Sequence, residues 1–329
     1  MSKLIEINDL HVQYKTDEAV VYALNGFTLD LEEGETLGLV GETGAGKTTM
    51  ALSILRLLPE HVGSITSGSI LHNGVDILSL SKNKLREMRG SEISMIFQDP
   101  MTSLNPVLTV GEQIREVLHL HYPDMAKSEQ EKRVDEILTM VGIQCERKTQ
   151  YPHQFSGGMR QRIMIAMALV AEPKLLLADE PTTALDVTIQ AQILNLMKNL
   201  KDKFNSAMIF ITHDLGIVAE FCDNVAVCYA GEVIERGSVE QVFERIANHP
   251  YTKGLFECLP DLSSTPKRLP NIEGTMLDST NLPKGCKFAS RCPSRMDLCE
   301  QENPGLHFVG EGHCIKCHLF AGKEASGLE

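Results

Sequence analysis

Near the start of the chain, Gly41-Glu42-Thr43-Gly44-Ala45-Gly46-Lys47-Thr48 has the spacing G-x-x-x-x-G-K-[ST], a pattern suited to gripping a phosphate chain. Gly41, Gly44 and Gly46 let successive backbone N–H groups turn inward as a nest for anionic oxygens. Lys47 can reach the β- and γ-phosphates of a nucleotide. Thr48, followed by Thr49, offers Mg²⁺ the hard oxygen it prefers. A second set of residues supplies the means of cleavage. Leu175-Leu176-Leu177-Ala178-Asp179-Glu180 is an apolar run ending in two carboxylates, an arrangement in which Asp179 holds Mg²⁺ and Glu180 faces an attacking water. By itself such a run is commonly a strand that ends in an acidic loop. Downstream of a phosphate loop it reads as a hydrolytic pair.

Both sets need rigid elements behind them. The apolar residues of Thr36–Val40 precede the loop directly, and Met50, Leu52, Ile54, Leu55 and Leu58 follow at helical spacing. Strand, loop and helix are therefore predicted in that order, with the positive end of the helix dipole beneath the phosphates. Further strands are predicted at Ile93–Phe97, Leu175–Ala178 and Met208–Thr212, alternating with helical stretches, so the fold class is α/β with a mostly parallel sheet. From Val110 to Val170 the pattern is helical without a convincing strand, which predicts a helical subdomain over about 100–170. The chain of 329 residues and 36.4 kDa carries 31 Lys and Arg against 44 Asp and Glu, a net charge of −13, which disfavours nucleic acid as a partner. It has no apolar run long enough for a membrane span and no secretory apolar segment after Met1, so a soluble cytoplasmic chain is expected.

Phe155-Ser156-Gly157-Gly158-Met159-Arg160-Gln161-Arg162 opens another helix, and Ser156 with its two glycines leaves backbone N–H groups for an anion. This segment resembles the LSGGQ-type signature of ATP-binding cassette (ABC) ATPases, with Phe155 and Met159 in place of the commonest first and last letters. The rest of the family pattern then falls in order over residues 4 to 240. Gln98 matches the glutamine loop that touches metal and water, and Asp186 matches the loop that crosses the dimer interface. His213 matches the switch histidine at the γ-phosphate, and Tyr14 matches the aromatic residue that stacks on adenine. The resemblance implies a P-loop NTPase cassette with a RecA-like core, an N-terminal antiparallel β part and a helical subdomain. It also implies two ATP molecules held between head-to-tail cassettes, so that Ser156, Gly157 and Gly158 serve a nucleotide bound mainly by the partner.

Nine cysteines are present, five of them between Cys286 and Cys317. Cys145, Cys222, Cys228 and Cys258 are scattered singly and read as buried small hydrophobes. Cys286, Cys292 and Cys299 lie in a Gly- and Pro-rich stretch, followed by Cys314 and Cys317. A reducing compartment disfavours disulfides, and thiolates suit Zn²⁺ and an iron–sulfur cluster equally well on softness, so spacing leaves the metal open. The stretch from Leu282 to Pro293, with Cys317-His318, resembles the C-terminal extension of the oligopeptide/dipeptide branch of ABC importers. So do Met95 to Pro106 and His249-Pro250-Tyr251-Thr252. That resemblance implies a 4Fe-4S cluster on Cys286, Cys292, Cys299 and Cys317, with Zn²⁺ as the alternative and Cys314 as a competing ligand.

The expected organisation is an ABC ATPase domain over 1–240 and a small loop-rich, metal-binding extension over 241–329, linked through Leu259-Pro260 to a segment rich in Ser, Thr and Pro. Metal ligation fastening a tail that lacks its own core is favoured over redox sensing. The expected function is the ATP-hydrolysing subunit that energises a dipeptide or oligopeptide importer, peripheral on the cytoplasmic face of the membrane. Its partners are two membrane-spanning permease subunits, a paralogous cassette or a second copy, and indirectly an extracytoplasmic binding protein. The alternatives are the same role for nickel or another small solute, and a soluble ABC ATPase outside transport.

Overall fold

The computed structural model describes residues 3–183, 185–259 and 271–322, so the Ser-, Thr- and Pro-rich segment after Leu259 lies outside the described residues. The chain divides into two compact units, each discontinuous in sequence. One comprises Met1–Leu4, Leu31–Thr36 and His72–Ile211, the other Ile5–Asp30, Leu37–Leu71 and Thr212–Glu329.

In the first unit, strands Ala207–Thr212, Leu175–Asp179 and Ile93–Ile96 run parallel in that order, with Leu175 opposite both Ile93 and Ala207. Every residue of Leu175–Asp179 and of Ala207–Thr212 is buried. A parallel strand covered on both faces demands a continuous apolar run, and that run is what made these strands readable. No strand lies between Ile96 and Leu175; helices Val110–His121, Lys127–Met140 and Gly157–Leu169 fill the interval. Thr109 starts the first of these with a reciprocal cap. Its Oγ1 accepts from Glu112 N–H at 3.3 Å, and the Glu112 carboxylate accepts from Thr109 N–H at 2.8 Å.

In the second unit, the strand before the phosphate loop, Thr36–Val40, pairs in parallel with Asn224–Tyr229, Leu37 opposite Asn224 and Val40 opposite Val227. The sheet continues antiparallel through Glu232–Ser238 to His313–Ile315 and then His307–Gly310. A separate sheet has Lys3–Lys15 between Val20–Glu32 and Gly63–His72. The helix after the loop, Lys47–Ile54, is shorter than its periodicity suggested. Arg56 adopts φ 50°, its N–H donates to Ser53 O at 3.0 Å, and Leu57 N–H donates to Leu52 O at 2.8 Å. This is a Schellman closure just ahead of Pro59, and it turns Leu58 out of the helix.

The C-terminal segment is less loop-like than its composition implied, because two of its strands join the sheet. They have only four and three residues, too few to show alternation in sequence. The segment also shares a core. Tyr251 and Phe288 pack with Val40, Val225, Val227 and Tyr229, and the rings of Tyr229 and Tyr251 lie 4.8 Å apart. Two buried carboxylates complete the attachment. Glu235, with no exposed surface, accepts from Asn248 Nδ2 at 2.7 Å and His249 N–H at 2.8 Å, and pairs with His313 Nε2 at 3.0 Å. Glu232 takes Lys287 Nζ, Lys316 Nζ at 3.0 Å and Asn303 Nδ2 at 3.0 Å.

Candidate functional site

The phosphate loop, in the second unit, owes its path to close backbone approaches. A Cβ on Gly41 would stand 2.3 Å from Cys228 O, and one on Gly46, where φ is 96°, would stand 2.6 Å from Leu24 Cδ2 and 2.7 Å from Ala23 O. Only glycine fits either place. Ala45 O accepts from Gly231 N–H at 3.1 Å, and Gly231 O accepts from Asn25 N–H at 2.9 Å, so a turn at Gly231, itself tied to strand Val20–Glu32, braces the loop. Lys47 is buried, its Nζ donating to Gly41 O at 2.7 Å and Glu42 O at 3.0 Å. The ammonium thus already lies along the loop's own carbonyls. Thr43, Gly44 and Thr48 are exposed, free of protein covering where a ligand must approach. Tyr14 Oη lies 3.1 Å from Thr49 Oγ1, which brings the ring to the helix behind the loop. Burial pushes the thiol of Cys228 up to about 12, against the pull of nearby Lys47, so that cysteine is an inert neighbour at neutral pH.

His213 is exposed in the same unit, in a turn fixed on its C-terminal side. Asp214 N–H donates to Thr212 Oγ1 at 3.0 Å, and its carboxylate accepts from Gly216 N–H at 2.8 Å as the cap of helix Leu215–Phe221.

The first unit carries the carboxylates. Asp179 is buried at the strand end. Glu180, the next residue, has φ 46°, a left-handed conformation that costs a non-glycine residue about 1–3 kcal/mol and persists only where the surroundings enforce it. Here Glu180 N–H donates to Ile211 O at 2.9 Å, and Oε2 accepts from Gln98 Nε2 at 2.9 Å and from Thr183 Oγ1 at 3.0 Å. Gln98 and Glu180, 82 residues apart, are brought into direct contact.

Ser156 caps helix Gly157–Leu169 by position, yet its side chain makes no capping bond. Ser156 lines a groove of about 790 Å³ together with Gly157, Gly158, Arg162, Asp186 and Ile189. A Cβ on Gly158 would meet Ile189 Cγ2 at 2.7 Å, whereas one on Gly157 would meet nothing within 4 Å. Packing therefore accounts for Gly158 and leaves Gly157 without a structural demand. Asp186 caps the next helix, Val187–Phe204, its Oδ1 accepting from Ile189 N–H at 3.0 Å.

The cysteines differ from expectation in two respects. Of the four scattered ones, only Cys228 is buried; Cys145, Cys222 and Cys258 are half-buried, and Cys145 Sγ lies 3.2 Å from Thr139 Oγ1. Among the described residues, no group of three or more His, Cys, Asp or Glu side chains is gathered as a metal site, so the ligand set expected in the C-terminal segment is not assembled. Burial raises Cys286, with Cys299 and Cys292 adding to the effect. Burial pushes Cys317 up to about 11, with Cys286, Cys292 and Cys299 contributing. Cys314 is set apart: it too is raised by burial, but its charged neighbours are Arg236, Asp30 and Glu235.

Sequence reasoning missed the contacts around Glu42. The Arg291 guanidinium forms a two-pronged pair with its carboxylate, Nη1 to Oε2 at 2.8 Å and Nη2 to Oε1 at 3.0 Å. Tyr251 Oη accepts from Glu42 N–H at 3.0 Å. These partners lie more than 200 residues downstream, and nothing local marks them.

Comparison with known proteins adds the following. A family described as ABC transporter matches residues 24–183, and one described as oligopeptide/dipeptide transporter, C-terminal region, matches residues 234–299. The dipeptide transport ATP-binding protein DppD of Bacillus subtilis (strain 168) is 49% identical over 321 residues, 97% of this chain and 95% of its own length. The oligopeptide transport ATP-binding protein AppD of the same organism is 47% identical over 331 residues, 100% of this chain and 99% of its own. Among solved structures, the ATP-binding cassette MJ0796, in a dimeric post-hydrolysis state bound to ADP and Pi, superposes with a TM-score of 0.64 at 30% identity, over 71% of this chain and 98% of that one.

Proposed function

The chain belongs to the ABC transporter family of ATP-binding proteins, and from that premise we propose that it is the ATP-hydrolysing subunit that energises an importer of dipeptides or oligopeptides. Its fold is the ABC cassette. The observation that carries the catalytic reading is the Gln98–Glu180 contact directly after the buried strand Leu175–Asp179.

In the proposed reaction the loop N–H groups and Lys47 bind the β- and γ-phosphates, and Tyr14 lies against adenine. Glu180 accepts a proton from the water as its oxygen bonds to the γ-phosphorus and the bond to the bridging oxygen of ADP breaks. Gln98 and Thr183 orient the Glu180 carboxylate, and His213 contacts the γ-phosphate. Thr48, Gln98 and Asp179 would hold Mg²⁺, an all-oxygen donor set that suits this ion. When bound, it neutralises charge on the phosphate oxygens. Ser156, Gly157, Gly158 and Asp186 serve a nucleotide shared with a second cassette, which supplies the differential affinity for a closed pair.

We assign residues 1–240 to the ATPase domain, with a helical subdomain over about 100–170, and 241–329 to the extension. The family matches at 24–183 and 234–299 support this division. For the extension we propose that Cys286, Cys292, Cys299 and Cys317 hold a 4Fe-4S cluster, with Zn²⁺ as the competing occupant. The donors are all thiols, and the cysteines that add to the raised values of Cys286 and Cys317 come from this set and do not include Cys314, which supports it. Ligation must draw the four closer together than they stand and lower the pKa values of Cys286, Cys292 and Cys317, which burial raises. Stoichiometric zinc without iron or acid-labile sulfide in anaerobically purified protein would overturn the cluster. The partners are two membrane-spanning subunits, a paralogous or identical cassette, and indirectly an extracytoplasmic binding protein. The importer reading puts the chain peripherally on the cytoplasmic face of the membrane. Among its described residues, no helix is long and apolar enough to cross a membrane.

The catalytic assignment is tested with Glu180→Gln. Nucleotide binding is retained while turnover falls by about 10²–10⁴, the range for a lost general base. Turnover near wild type would remove Glu180 from this role.

A further inference from the structure

The second residue of the phosphate loop is held on three sides. The N–H of Glu42 donates to Tyr251 Oη at 3.0 Å, its C=O accepts from Lys47 Nζ at 3.0 Å, and its carboxylate is clasped by both terminal nitrogens of Arg291. When Lys47 turns to a phosphate it gives up the carbonyl, and the two remaining restraints both come from residues beyond 240.

Arg291 is itself built in. Its side chain is 4% exposed, Nε donates to Glu273 O at 3.2 Å, and the guanidinium carbon lies 5.9 Å from the centre of the Tyr229 ring. Tyr251 is fully buried against Tyr229 and Phe288. A preformed fork of this kind fixes position as well as charge. Without it, the Glu42 carboxylate would present a negative charge beside the triphosphate and the first turn of the loop would lose its anchor.

We propose that Arg291, supplied by the C-terminal extension, is a positioning residue of the phosphate loop: it fixes Glu42, cancels its charge and thereby raises the affinity for the triphosphate of ATP. This rests on the ATPase reading given above. It also gives the extension a part in nucleotide binding separate from any metal it holds.

The test is calorimetric titration of the full-length protein with MgATP, alongside steady-state hydrolysis, for wild type, Arg291→Ala, Arg291→Lys, Glu42→Gln and the Glu42→Gln/Arg291→Ala pair. Arg291→Ala raises Kd and KM by about tenfold, the cost of a lost charge-assisted pair, with a smaller change in kcat. Arg291→Lys recovers part of the loss. In the Glu42→Gln background, removing Arg291 changes Kd less than threefold, because the charge it cancels is gone. An unchanged Kd in folded Arg291→Ala, or the same tenfold loss in both backgrounds, would overturn the proposal. Should wild type itself not bind ATP, the ATPase reading falls first, and the two failures are told apart by that control.

Discussion

The phosphate loop and the segment from Asn271 to Gly322 lie in one compact unit, yet different forces hold them. The loop follows its path because atoms are missing. At Gly41 and Gly46 the opposing backbone comes so near that any side chain would collide. The C-terminal segment keeps its place because atoms are present: the carboxylates of Glu235 and Glu232, the cations and amides they gather, and the rings of Tyr229, Tyr251 and Phe288, packed tilted and edge-on. A backbone path shaped by close packing is intolerant of added volume, whatever charges its ligand also requires. A segment attached by buried polar groups should respond to the loss of a hydrogen-bond partner and to pH.

The largest expected effect comes from adding volume to the loop. Gly41→Ala puts a methyl group on Cys228 O, with backbone on both sides of the clash, and should lower stability by about 3 kcal/mol and abolish measurable MgATP binding. Near-normal binding would break the claim that the loop is shaped by close approach. In the C-terminal segment, Glu235→Leu leaves Asn248, His249 N–H and His313 without their acceptor, and chemical denaturation should show a loss of about 3 kcal/mol. A neutral outcome would mean that these bonds do not anchor the segment.

A smaller effect tests the sensitivity to pH. Burial holds His249 down to about 3, and its Nδ1 accepts from Tyr251 N–H at 3.0 Å, a bond only the neutral ring can make. The unfolded chain takes up a proton near the ordinary histidine value and the folded chain does not. Stability is therefore full above about pH 6.5 and falls as pH drops towards 3, by up to about 1.4 kcal/mol per unit. Unfolding free energies measured from pH 6.5 to 5 should show this slope in wild type and a flatter one in His249→Asn. Equal slopes would assign the pH dependence elsewhere. The smallest effect is expected at Gly157, where an added Cβ meets nothing. Gly157→Ala should leave stability within about 0.5 kcal/mol, in contrast to Gly41, so a large loss of stability there would blur the distinction.

The sequence showed what is local and continuous. The runs at Thr36–Val40 and Leu175–Asp179 are legible because they are buried on both faces, and the loop is legible because its chemistry occupies eight consecutive residues. The end of the helix before Leu58 is not legible, because Arg56 takes a left-handed turn that residue type does not announce. The two short C-terminal strands were hidden by their brevity. The Arg291–Glu42 pair was invisible because its partners are 249 residues apart, and Gln98 could be tied to Glu180 only through resemblance.

The central claim is that a glycine-shaped loop with Lys47 grips a triphosphate, and the most direct measurement is an equilibrium titration of MgATP into the folded wild-type chain and into Lys47→Ala. Saturable binding that weakens at least about tenfold without the Lys47 ammonium is predicted. No binding to a demonstrably folded wild type, or binding indifferent to Lys47, would contradict it.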